Sequence, residues 1–75
     1  MSGKKATYDA RVVDIRNNHL TVTVNHPTAA AATHVARELA ASHAAASRIL
    51  VYEVTEGRHG RESREVANVA LMGRG

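Results

Sequence analysis

Apolar and polar residues follow two rhythms along this chain. In the central segment 28–46, TAAAATHVARELAASHAAA, Ala32, Val35, Ala36, Leu39, Ala40 and His43 recur at the three- and four-residue spacing of one helical face. Ten of its nineteen residues are alanine, the residue with the best intrinsic helix propensity. Pro27 closes the preceding segment, and Thr28 is placed to cap the helix by accepting from the backbone N–H of Ala30 or Ala31. An Asn25 or His26 cap with Pro27 in the first helical position is the alternative. Only Val35 and Leu39 are large on this face, so the helix axis can lie close to a sheet whose strands supply the bulk.

The flanking segments alternate with a period of two. Segment 7–16 has Tyr8, Ala10 and Val12 on one face and Val13 and Ile15 on the other, a change of phase that predicts either a β-bulge near Val12 and Val13 or a strand with apolar residues on both faces. Asn17 and Asn18 suit a two-residue turn, pairing Ile15 with Leu20 and Val13 with Val22. Segment 19–25 alternates Leu20, Val22 and Val24 against Thr21 and Thr23. In 48–56, Leu50, Tyr52 and Val54 are expected to face the helix, with Ile49 and Val51 turned away. Gly57 and Gly60 bracket a turn, and 64–72 forms the last strand with Ala67, Val69 and Leu71 inward and Val66 outward. The predicted class is α+β: a ββαββ order with four mainly antiparallel strands and one helix on one face.

This arrangement leaves one sheet face without a partner. Ile49, Val51, Val66, Tyr8 and Val12 are expected there, and burying such side chains is worth about 1.5–3 kcal/mol each. A chain of 75 residues with no cysteine has no disulfide to stabilise it, so self-association as a homodimer, sheet to sheet or edge to edge, is expected. Residues 1–5 read as a basic leader, 6–72 as a single domain and 73–75 as a frayed tail.

Composition narrows the chemistry. The net charge is +3, but without Lys4, Lys5 and Arg74 the body has seven arginines against seven acids. A phosphate-tracking surface needs clustered excess charge, which this body lacks. No apolar run approaches the ~20 residues that span a bilayer, and residues 1–6 lack the apolar core of a signal peptide, so a cytoplasmic protein with no membrane partner is expected.

The five histidines share no metal-ligand spacing; His34 and His43 stand about 900° apart on an ideal helix, so no metal and no cofactor is expected. Ser42 and His43 face different directions, and Asp9, Asp14 and Glu53 have no paired partner at readable spacing, so catalysis is not expected. The conspicuous polar stretch is EGRHGRESR. Arg58, His59, Arg61 and Arg64 are its candidate partner-binding residues, because arginine forks suit carboxylates and phosphates. Interleaved with Glu56, Glu62 and Glu65, the same arginines can instead lace the hairpin with its own ion pairs.

A basic start, LTVTV, an alanine helix and RILVYEV with a charged hairpin together resemble small accessory proteins of phages and mobile elements, among them the anti-CRISPR inhibitors. The resemblance is one of size and element order over 6–72. It implies binding to a CRISPR effector, a host protein complex, by obstruction and without a cofactor. The second class is a nucleic-acid binder, using the basic leader and the arginine hairpin.

Overall fold

A computed structural model describes residues 6–58 and 60–71. Four strands and one helix follow in the order β1 (Ala6–Val13), β2 (His19–His26), α1 (Ala29–Ala40), β3 (Arg48–Gly57) and β4 (Gly60–Ala70). The strands form one antiparallel sheet in the order β2-β1-β3-β4, so the two hairpins meet along β1 and β3. The leader 1–5, residues 72–75 and His59 lie outside the described residues.

The helix starts as its sequence demands. Thr28 is extended, and its hydroxyl accepts from the Ala31 N–H at 3.0 Å. It ends six residues before the expected stop at Ala46. Beyond Ala40 the backbone tightens, with the Ser42, His43 and Ala46 N–H groups bonding to carbonyls three residues back. Helix propensity favours continuation there, but the chain must return to β3. Ala46 is drawn into the core, and the Ser47 N–H bonds the Val13 carbonyl at 2.8 Å.

Ala32, Ala36 and Ala40 form the contact line of α1 and are buried, with Val35 and Leu39 half-buried on its flanks. This row of methyls packs with Ala10 and Val12 of β1 and Ile49 and Val51 of β3; Tyr8, Leu20, Ala67, Val69 and Leu71 complete the core. The expectation for β3 is therefore inverted. Ile49 and Val51 lie under the helix with no exposure, and strand alternation turns Leu50, Tyr52 and Val54 to the other side, where Leu50 and Tyr52 are half-buried and Val54 is buried at 8% exposure. Val12 is equally buried and Tyr8 packs against the core. Of the five residues expected on the open face, only Val66 is exposed. Periodicity misled because β3 is apolar on both faces, with Glu53 in phase with Ile49 and Val51.

The first hairpin differs too. Asp14 organises a wider loop: its carboxylate accepts from the Arg16 and Asn18 N–H groups, both at 2.9 Å, while Asn17 takes φ 67°. Val13 then pairs with His19 rather than Val22, and Ile15 is left 78% exposed in the loop. A register shift does fall at Val12 and Val13, but the extra residue is on β2, at Leu20. A second, at Val24 and Asn25, uses the left-handed Asn25, whose N–H bonds the Asp9 carboxylate at 3.1 Å. Between these bulges Thr21 and Thr23 share the helix side with Ala10 and Val12, and Val22 faces outward.

The second hairpin is longer than expected. Gly57 pairs with Gly60, whose φ of +109° suits glycine, and pairing continues through 61–65. Charged residues on both faces of that ribbon hid it from a hydrophobic alternation test. Val66 is the extra residue of a bulge opposite Val51 and Tyr52.

Candidate functional site

Two surfaces carry chemistry, one on each side of the sheet. On the helix side a polar row crosses all four strands: His26 of β2, Tyr8 of β1, Glu53 of β3 and Arg64 of β4 are successive Cα partners. It lies where β2 ends and the chain leaves for the helix. The Tyr8 hydroxyl donates to Glu53 Oε2 at 3.1 Å, and the Arg64 guanidinium approaches Oε1 of the same carboxylate at 3.3 Å. His26 Nε2 stands 2.6 Å from the Thr23 hydroxyl. The hydrogen bond to Glu53 raises the Tyr8 pKa above its ordinary value, because ionising the phenol would remove the donated proton beside a negative carboxylate. Next to this row Glu53, Thr55, Glu62, Ser63 and Arg64 line a shallow cleft of about 220 Å³.

On the opposite side no helix covers the sheet among the described residues. Arg11 of β1 is flanked in register by Val22 and Leu50, and its guanidinium carbon lies 4.7 Å from the centre of the Tyr52 ring. Such stacking is worth about 0.5–1 kcal/mol when exposed. Leu50 and Tyr52 are half-buried, while Val22 and Val24 are 52% and 51% exposed. Val22 and Val24 of β2 and Leu50 and Tyr52 of β3 flank Arg11 of β1 on this side, with Arg48 and Glu65 in phase with them along the sheet.

The predicted arginine cluster does not form one surface. Arg61 and Arg64 are three residues apart on a strand, so they point to opposite faces. Arg61 approaches Glu56 at 3.7 Å and Arg64 approaches Glu53, each its direct cross-strand partner. Arg58 is exposed at the turn, and His59 lies outside the described residues. Of the expected pairs the structure shows Arg61 with Glu56; Arg64 pairs with Glu53 instead, and Glu62 and Glu65 are in no ion pair among the described residues.

Among the described residues no three of histidine, aspartate or glutamate converge as metal ligands, and no helix is long and apolar enough to cross a membrane. The functional candidates that periodicity missed are Arg11, Leu50 and Tyr52. Arg11 alternates with Ala10 and Val12, which the structure buries under the helix. Arg11 must then point away. Comparison with protein-family models, curated proteins and solved structures finds no match for the chain.

Proposed function

We propose that this protein is a non-catalytic protein-binding module that meets its partner through the open sheet face. The observation that supports this reading is the uncovered strip of Val22, Val24, Leu50 and Tyr52 with Arg11 stacked against it. Apolar area of this kind gains free energy only when another surface removes it from water. Aromatic and arginine side chains are the types that dominate protein interfaces. The test is capture of a partner from source cells by the immobilised protein, with Val22→Asp and Tyr52→Ala run beside it. Val22 is exposed on an edge strand, so its substitution leaves the fold standing. The reading expects a protein held by the wild type and lost from both variants; retention by both rejects it.

In its narrower form the module inhibits a CRISPR effector by obstruction, a reading carried by the resemblance in size and element order. Undiminished target cleavage by such effectors at saturating protein would reject that form and leave the broader one standing. A second reading, nucleic-acid binding, has one specific observation in its favour. Arg11 over Tyr52 on an open four-stranded sheet is an arrangement on which a base can stack. Electrophoretic shifts with single- and double-stranded DNA and RNA at ~50 and ~200 mM salt decide it. A salt-sensitive shift weakened by Tyr52→Ala would favour this reading over the first.

A further inference from the structure

We infer that the outer edge of β4 is a homodimer interface, in which two copies pair antiparallel about a two-fold axis at Ser63. This does not depend on the proposed function. β4 is the outermost strand, so one side of its backbone has no neighbouring strand among the described residues. Such an edge is a template for another strand unless something blocks it. The opposite edge is blocked, because bulges interrupt β2 at Leu20 and again at Val24 and Asn25. β4 instead keeps regular pairing with β3 from Gly60 to Glu65, and its residues 60–66 are all exposed.

The charges on this stretch name the occupant. The sequence is Arg61-Glu62-Ser63-Arg64-Glu65. Charges on an edge ordinarily guard it by repulsion, but these run in an order that attracts its own copy. Antiparallel pairing centred on Ser63 sets Arg61 opposite the partner's Glu65 and Glu62 opposite the partner's Arg64. The symmetry repeats both pairs. Residues directly opposite share a sheet face, so Glu62 and Arg64 meet on the helix side, Arg61 and Glu65 on the open side. Moving the centre one residue either way sets glutamate against itself or arginine against arginine. Glu62 and Glu65 have no ion-pair partner among the described residues, so both carboxylates are free to take one. The product is an eight-stranded sheet with both helices on one side.

The experiment uses complementary variants. Glu62→Arg with Glu65→Arg sets arginine against arginine across the axis and leaves Arg61–Glu56 and Arg64–Glu53 intact. Arg61→Glu with Arg64→Glu sets glutamate against glutamate. Sedimentation equilibrium should show a wild-type dimer and each variant weakened on the order of tenfold to a hundredfold, with a heterodimer restored on mixing the two. Circular dichroism confirms that each variant is folded. Because the chain has no cysteine, Ser63→Cys gives a second readout. It should cross-link to its own copy on oxidation, whereas Glu62→Cys, offset across the axis, should not. A wild-type monomer at high micromolar concentration, or a dimer that survives in both variants, would overturn the inference.

Discussion

Truncating two neighbouring residues of β3 separates the covered face from the open one. Ile49 is fully buried beneath α1, whereas Leu50, one position along, is half-buried on the side without a helix. Ile49→Ala removes three carbon groups at about 0.8 kcal/mol each, roughly 2.4 kcal/mol of transfer free energy. The helix rests on alanine and has little side chain to collapse into the space, so a total of about 2–5 kcal/mol is expected. Leu50→Ala removes the same number of carbons from a site open to water on one side and leaves no enclosed cavity, so about 1 kcal/mol is expected. A 75-residue domain has a total stability of about 4–11 kcal/mol. Ile49→Ala should therefore lower Tm by roughly 8–40 °C, Leu50→Ala by roughly 4–8 °C. Chemical denaturation should give the same order. A larger loss for Leu50→Ala would place the helix on the other face and refute the reasoning.

Other expectations are smaller in scale. Thr28→Ala removes the helix cap and should cost about 0.5–2 kcal/mol by denaturant melt, with Thr28→Ser retaining most of it. Removing Glu56 or Arg61 singly should change stability by less than about 1 kcal/mol, since both ends of that pair are exposed. The Asp14 carboxylate is held below its ordinary pKa of 3.8, chiefly by the Asn18 N–H. Its contribution is fully present above that value and lost as pH falls through the lower folded-state pKa. Acid melts of wild type and Asp14→Ala should therefore converge at low pH. With Tyr52 replaced by Phe, tyrosinate absorbance reports Tyr8 alone. Its midpoint should lie above the ordinary tyrosine value of 10.0 and fall in Glu53→Ala. The Tyr8–Glu53 contribution to stability is present below that ordinary value and lost as pH rises through the folded-state pKa.

Element order and the helix face were legible because they rest on strong local signals: alanine at helical spacing, Thr28 after Pro27, and glycines bracketing the last turn. Which side of β3 meets the helix was not. Ile49, Leu50, Val51 and Tyr52 are all apolar, so period-two alternation gives both faces the same claim, and Glu53 stands in phase with the covered pair Ile49 and Val51. That glutamate is tolerated in phase with Ile49 and Val51 because it sits in the polar row, where Tyr8 and Arg64 satisfy it. The Asn17–Asn18 turn misled for a related reason. Asp14 can bond two backbone N–H groups of its own loop, which favours a wider turn than asparagine propensity alone suggests. At the candidate surfaces, the Arg61–Glu56 pair of the hairpin could be read from its alternating charges. The Arg11–Tyr52 contact could not, since it depends on the pairing of β1 with β3.

The most direct test of which face is covered is a nuclear Overhauser experiment on methyl-labelled protein. Cross-peaks are predicted from the methyls of Ala32, Ala36 and Ala40 to those of Val12, Ile49 and Val51, and none to Leu50 or Val22. Cross-peaks from those alanines to Leu50 in place of Ile49 would contradict the fold described here and close the face assigned to the partner.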